Sequence, residues 1–414
     1  MRRVLINNKE FLWNTLGQMV QMFGAIILMK LLAMYLTKGE YGKLALINSL
    51  LALFMILPFN SIIHGIYRYV AEHMNSKKFA DFFSINIFML SMIFIGIYAV
   101  IWFVLLFFDF ELKQYFHLVS LLVLSEIYKT MLKSIENARR YRKKIAVSSL
   151  FEFVSKIIFV IIIHQLGVVS LQNILWILIF GNILSILGLM YKNWKNITFP
   201  SFDKYHQVFI PIVVFGTPLI FSQLFGWVRD MSNRWFLEAY IDSESVAVFT
   251  LMATIAAIIP NGFNSLIGSY LVPIIYQKEQ SDEGYTQKLL KRIIPKLILG
   301  AFVFGMGIYF FKDFIVILFS DEKYVEYSWM LAPMFLVFSL YVISMIASYE
   351  IYSKKKTKLL LYPAVFSALI AASSAFLLIQ SYGIKGALTS YLLTYSSYVA
   401  VVFYIVFYRK VLND

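Results

Sequence analysis

The 414-residue chain has no cysteine, which excludes disulfides and thiolate metal sites. Histidine is also scarce. His64, His73, His117, His164 and His206 are scattered without the spacing of a metal-ligand set. Carboxylates number 23 against 37 lysines and arginines, and charged residues together make up only 14% of the chain. No glycine-rich phosphate loop, HExxH or Ser-His-Asp order occurs. Neither a metal nor an organic cofactor is therefore expected. Long polar stretches are missing too. The widest gap between apolar runs is about Lys192–Val208, too short for an extramembrane domain.

What fills the chain is apolar: 60% of its residues are hydrophobic. A helix needs about twenty apolar residues to cross a bilayer, and only helices or closed barrels satisfy the backbone there. Twelve runs meet that need, at 11–36, 43–66, 79–107, 114–137, 145–163, 174–191, 209–236, 246–275, 291–318, 327–350, 359–380 and 387–408. Alternating ten-residue barrel strands are absent from the sequence, so the reading is an all-α integral membrane protein of about twelve transmembrane helices.

Positive charge orients it. The gaps at 1–10, 67–78, 138–144, 192–208, 276–296, 351–358 and 409–414 hold 25 of the 37 basic residues. The opposite gaps and adjoining helix ends hold six, and six more lie inside spans. Lysine and arginine are retained on the cytoplasmic side during insertion, which puts both termini there. The run from Phe11 is too long for a signal-peptide core and has no small-residue cleavage site, so it reads as the first span. The net charge of +14 follows from these loops, and no nucleic-acid partner is implied.

The middle loop divides the chain into an N-terminal lobe at 1–200 and a C-terminal lobe at 201–414, six spans each. Halves with an even number of spans share one orientation, so their pseudo-two-fold axis lies along the membrane normal. Weak echoes support duplication. Phe59-Asn60-Ser61-Ile62-Ile63 recurs as Phe263-Asn264-Ser265-Leu266-Ile267, and Leu166-Gly167 as Tyr382-Gly383.

Ionisable groups in hydrocarbon need a partner or a wet cavity. Asp230, Arg234 and Glu238 stand at i, i+4 and i+8 on span seven and read as a ladder of ion pairs. Spans four and five run antiparallel, and at about 1.5 Å per residue Lys129 is as deep as Glu152 and Glu126 as deep as Lys156. These four read as a buried, mutually neutralising cluster that either sets register or carries protons. Lys133 has no depth-matched acid on span five, though Glu136 is near enough on its own helix. Arg229 shares a polar face with Ser222, Gly226 and Asn233, a quarter turn from Asp230, and so reads as an uncompensated cation facing water. Lys30 has no acid at helical spacing, so it either snorkels outward or serves a cavity. It lies opposite the stripe Asn14, Gln18 and Gln21 unless the helix bends near Gly24. Pro218, and Pro260 with Asn261 and Asn264, mark bends in spans seven and eight. By the repeat, spans one and two complete that working surface, with His64 and Arg68 near its mouth.

Three segments carry a family resemblance. LMKLLAMYLTKGEYGKLALINSL resembles the opening of Wzx-type polysaccharide-repeat flippases, of the multidrug/oligosaccharidyl-lipid/polysaccharide exporter superfamily. SNRWFLEAYIDSESVAVFTL is similar to their span-seven stretch, although Asn233 replaces the usual Asp before Arg234 and Glu238-Ala239 an apolar-Gly step. KKKTKLLLYPAVFSALIAASSAFLLIQSYGIKGALTSYLLTYSSY resembles their last two helices, including the turn at Tyr382–Ala387. The resemblance implies two six-helix lobes around a central cationic cavity, alternating access, and a glycan cargo on undecaprenyl diphosphate. It also implies a role for a basic residue near the end of the first helix, which here is Lys30.

The expected function is therefore transfer of lipid-linked repeat units for a surface polysaccharide such as O-antigen, and not enzymatic catalysis. Arginine suits bidentate phosphate contact. Arg229 and Lys30 are the expected diphosphate ligands, with Arg234, Arg68, Lys133, His64, Asn233 and Asn264 beside them. Glu126, Glu152 and Asp230 are the candidates for proton or sodium coupling. Partners are the polyprenyl-diphosphate-linked glycan, the bilayer and other polysaccharide-assembly proteins. Two rivals are a drug or cation antiporter of the same superfamily and a membrane polysaccharide polymerase or glycosyltransferase. The antiporter needs a cavity of carboxylates and aromatics, and the enzyme needs catalytic acids on a large outer loop.

Overall fold

The computed structural model describes residues 2–74, 76–107, 111–198, 204–279, 281–282 and 284–408. Its α-helices are α1 (Arg2–Tyr35), α2 (Lys38–Phe54), α3 (Ser61–Tyr69), α4 (Ser76–Leu105), α5 (Phe116–Ala138), α6 (Arg142–Gln165) and α7 (Leu171–Met190), followed by α8 (Tyr205–Tyr240), α9 (Ser243–Glu279), α10 (Tyr285–Phe310), α11 (Lys312–Phe319), α12 (Leu331–Ala347), α13 (Tyr349–Ser353) and α14 (Leu361–Phe407). No strand occurs among the described residues.

Nine helical stretches among the described residues are long and apolar enough to cross a membrane, and a bent pair, Tyr205–Thr217 with Ile220–Tyr240, is a tenth. Between its two parts lies Pro218, whose side chain is outside the described residues. The last stretch, Thr357–Phe407, is 51 residues long, enough for two spans. Gly383 breaks it with φ 59° and ψ −134°, a conformation open to glycine and strained for any other residue. The remaining span is α5, whose Glu126, Lys129, Lys133 and Glu136 make it too charged for a hydropathy test. Each of the twelve expected spans thus has its helix, and the protein is a multi-pass membrane protein.

The helix ends follow from local chemistry. Gly167 (φ 69°) turns the chain after α6, and Ser170 caps α7 by accepting the Asn173 N–H at 3.3 Å. Glu279 closes the start of α10. Its carboxylate accepts the Gly284 N–H at 3.0 Å, the Thr286 N–H at 2.7 Å and the Thr286 hydroxyl at 2.6 Å. Burial works to raise the pKa of Glu279. The Thr286 and Gly284 hydrogen bonds, with the charge of Lys354, outweigh it and hold the carboxyl below its ordinary range.

Two compact units emerge. Unit 1 comprises Met1–Thr37 and Ile47–Leu224, and unit 2 comprises Lys38–Leu46 and Phe225–Asp414. The divider expected between residues 200 and 201 lies outside the described residues. In unit 1, α6 packs against α1 and α7, and α7 also packs against α5. Gly17 and Gly24 of α1 allow the close approach of α6, since a Cβ would stand 3.3 Å from the Ala146 Cβ and 2.5 Å from the Phe153 Cγ. In unit 2, α12 lies between α9, α10 and α14 and is largely buried. Residues 38–46 belong here because Gly42 meets the backbone of Ser243 with no room for a side chain.

Candidate functional site

Unit 1 holds a buried charge cluster among α5, α6 and α7. The Glu152 Oε1 accepts from Lys129 at 2.8 Å and from Lys156 at 2.8 Å, while its Oε2 accepts from Lys133 at 3.0 Å. Lys129 also meets Glu126 at 2.7 Å. Asn182 of α7 ties Lys129, Lys156 and Glu126 together. Its Oδ1 accepts from Lys129 and Lys156 at 2.9 Å each, and its amide nitrogen donates to Ser125 at 3.0 Å and to Glu126 at 3.1 Å. Gly181, next to it, leaves the space that Lys156 fills, since a Cβ there would stand 2.5 Å from the Lys156 Cε. The depth match between α5 and α6 thus brings the four expected charges together.

Two features of this cluster differ from expectation. Lys133 was expected to lack an acid on span five, yet it reaches Glu152, because a lysine side chain spans about a helical turn. Glu136 is instead enclosed by Lys144 at 2.8 Å, Asn193 at 2.5 Å and Arg139 at 3.8 Å. Asn182 escaped the sequence reading altogether. Its signal was a lone amide beside a glycine in the apolar run of span six. With Lys133 counted, the cluster holds three lysines against two carboxylates.

Beside it, α1, α5 and α6 enclose a cavity of about 320 Å³ in unit 1. Lys133, Arg142, Thr130, Asn14, Gln18 and Gln21 are among its walls. The amide stripe of α1 faces this space, and Gln21 donates to Ser149 at 3.2 Å. The helix runs unbroken through Gly24, so Lys30 is not brought to the cavity. Lys30 is half-buried and has no hydrogen-bond or ion-pair partner among the described residues. His64 is exposed. Arg68 is exposed and pairs with Glu72 at 3.3 Å.

In unit 2 the expectation for Arg229 is corrected. It is not an uncompensated cation: its Nε donates to the Asp230 Oδ1 at 2.7 Å and its Nη2 to Oδ2 at 3.0 Å. The helical wheel separates the two Cβ atoms, but the long arginine stem folds back across that quarter turn. Burial drives the pairing, since the Arg229 side chain is only 10% exposed. Its guanidinium also faces the rings of Tyr341 at 4.9 Å, Tyr398 at 5.3 Å and Tyr395 at 5.8 Å. Tyr395 donates its hydroxyl to Asp230 at 2.9 Å. These tyrosines carried no distinguishing sequence signal among 27.

The ladder expected on span seven does not form, because each acid finds another partner. Asp230 turns to Arg229, and Glu238 accepts from the Ser243 hydroxyl at 2.9 and 2.8 Å. Arg234 then donates only to the Met231 sulfur, at 3.2 Å. Its Nε and the neighbouring Asn233 Oδ1 are buried with no partner among the described residues. Asn264 lines a second cavity, of about 300 Å³, with Ser348, Tyr349, Tyr352 and Tyr398. Among the described residues no cluster of histidines and carboxylates is arranged to hold a metal ion.

An all-helical bundle with charge buried inside its spans defines a polytopic membrane protein. Residues 8–279 match the model of a family described as polysaccharide biosynthesis protein, and the chain belongs to that family. No curated protein matches. Its fold is shared by solved transporters. It is similar to lipid II flippase MurJ in an inward closed conformation, with a TM-score of 0.75 at 14% identity, covering 95% of this chain and 87% of that one. A multidrug resistance MATE family transporter, inward-facing, gives 0.68 at 13% identity, covering 94% and 93%. A MOP superfamily transporter from Pyrococcus furiosus, described as having a binding pocket of reverse polarity, gives 0.62 at 12% identity, covering 97% and 95%.

Proposed function

We propose that the protein moves polyprenyl-diphosphate-linked glycan repeat units across the bacterial inner membrane by alternating access. The cargo would travel from the cytoplasmic to the outer leaflet on undecaprenyl diphosphate and supply a surface polysaccharide such as O-antigen. The observation that supports this most is a surplus of positive charge within the membrane-spanning helices. Unit 1 sets three lysines against two carboxylates. In unit 2, Arg229 pairs with Asp230, and Arg234 has no carboxylate within ion-pair distance among the described residues. That balance suits an anionic cargo and opposes a cationic drug.

In this reading the diphosphate exchanges with Asp230 at the guanidinium of Arg229, one bidentate oxyanion replacing another. Lys30, which has no ion-pair partner among the described residues, is a further candidate cation. Arg234, Arg68, Lys133, His64, Asn233 and Asn264 are the other candidates. Coupling to protons or sodium is assigned to Glu126, Glu152 and Asp230. Asp230 comes first, because its side chain is 36% exposed and it is released as cargo binds. Both termini are cytoplasmic in this scheme, and other polysaccharide-assembly proteins are its partners.

The test is translocation of a fluorescent lipid-linked oligosaccharide in proteoliposomes, read by leaflet-specific quenching. Arg229→Ala combined with Lys30→Ala is expected to abolish it. Normal transfer by that double variant overturns the site assignment, and no transfer by the parent protein overturns the function.

A further inference from the structure

We infer that the α1–α5–α6 cavity of unit 1 is a phosphoryl-anion site whose occupant completes the charge balance of the buried cluster. The argument begins with the count of charges. Lys129, Lys133 and Lys156 share Glu126 and Glu152. With all five ionised, one positive charge lacks a counterpart. Buried ammonium groups are costly without one. Lys129 and Lys156 each contact a carboxylate and the Asn182 carbonyl oxygen. Lys133 has Glu152 alone, at 3.0 Å, and it is the lysine of the three that lines the cavity. The missing negative charge is therefore wanted at Lys133, on its cavity side.

The cavity walls agree. Arg142 lines the same space and has no carboxylate partner among the described residues. Among the described residues no carboxylate lines the cavity. Its polar walls are otherwise neutral, the amides of Asn14, Gln18, Gln21 and Asn137 and the hydroxyls of Thr130 and Ser134. Two cations surrounded by amides and hydroxyls match the many acceptor oxygens of a phosphoryl group. A volume of about 320 Å³ is generous for a halide and adequate for a diphosphate. The phosphoryl group is either free or borne on a lipid, and the two arms of the test separate these sources. That it arrives on a lipid-linked glycan rests on the proposed function, and the site itself does not.

Trp13 also lines the cavity, so its fluorescence reports occupancy locally. Purified full-length protein in zwitterionic nanodiscs is titrated with inorganic pyrophosphate. In a second arm, undecaprenyl diphosphate is built into the discs. The Trp13 signal is taken as the difference between parent and Trp13→Phe. A saturable response is expected in at least one arm, and the arm that responds identifies the source. Lys133→Gln with Arg142→Gln should weaken it at least about tenfold, or 1.4 kcal/mol, while Lys133→Arg retains it. Gln18→Glu alters an exposed position and supplies the missing charge from the protein, so it should abolish the response in a folded molecule. Equal titration of parent, double variant and Gln18→Glu overturns the inference, as does no Trp13 response in either arm. A protein that binds pyrophosphate here but transfers no glycolipid overturns the proposed function alone.

Discussion

Arg229 and Asp230 are sequence neighbours that close a two-bond contact, at 2.7 and 3.0 Å, inside a helix expected to hold them apart. The pair is enclosed by Tyr341, Tyr395 and Tyr398. Removing one partner leaves the other charge buried and alone. Asp230→Asn should therefore destabilise the protein by about 3 kcal/mol, and Arg229→Gln with Asp230→Asn should recover most of that loss. Thermal unfolding of the purified variants in detergent reads the cycle. Additive effects of the two substitutions would mean that the contact is energetically idle.

The Glu152 carboxylate accepts from three ammonium groups. Glu152→Gln leaves those lysines facing one another with Glu126 as the single acid. The expected loss is about 3–5 kcal/mol, seen as poor yield and early thermal unfolding. Asn182→Ala removes three charge-assisted contacts and should cost about 2–4 kcal/mol. Wild-type stability for either variant would rule out the network as a determinant of the unit 1 packing.

Acid should loosen the start of α10 before the rest of the helix. The folded-state pKa of Glu279 is depressed. Its contribution is therefore fully present above the unfolded carboxylate range, about 4.3, and is lost as pH falls through the lower folded value. The cap is worth about 1 kcal/mol. Protection of the Gly284 and Thr286 amides against hydrogen exchange, relative to the unfolded chain at the same pH, should fall on acidification, and Glu279→Gln should remove that pH dependence. An identical pH profile in that variant would exclude the cap as its cause.

Gly386→Ala should be costly despite its small size. A Cβ there would stand 2.0 Å from the Leu378 carbonyl oxygen, and a backbone acceptor inside a helix cannot move aside as a side chain does. Overpacking of this kind costs about 1–3 kcal/mol. The same substitution at Gly39, where no neighbour lies within 4 Å, is the control. Equal melting temperatures for both variants would refute the close approach.

Helix existence and number were legible in the sequence because apolar runs are long and punctuated. Even α5 was found, since its charges sit at intervals that antiparallel α6 complements. Depth arithmetic recovered Lys129 with Glu152 because both side chains meet across two adjacent helices. It missed Asn182, which enters from a third helix that the pairwise argument left out. The helical wheel failed for Arg229 because it records where Cβ points, whereas a guanidinium on a three-carbon stem settles where burial and a carboxylate direct it. The aromatic cage was illegible for a similar reason. Tyr341 comes from α12 and Tyr395 and Tyr398 from α14, and composition cannot say which tyrosines of a membrane protein face inward.

Residues 38–46 lie early in the chain but are built into unit 2, with Gly42 fitted against Ser243. The two bundles therefore cannot be parted by one cut in the middle of the polypeptide. A C-terminal fragment starting after the sixth span would fold with a vacant groove, and only co-expression with its N-terminal counterpart would fill it. Fragment complementation thus becomes a property of the topology, with a short early segment serving as the plug.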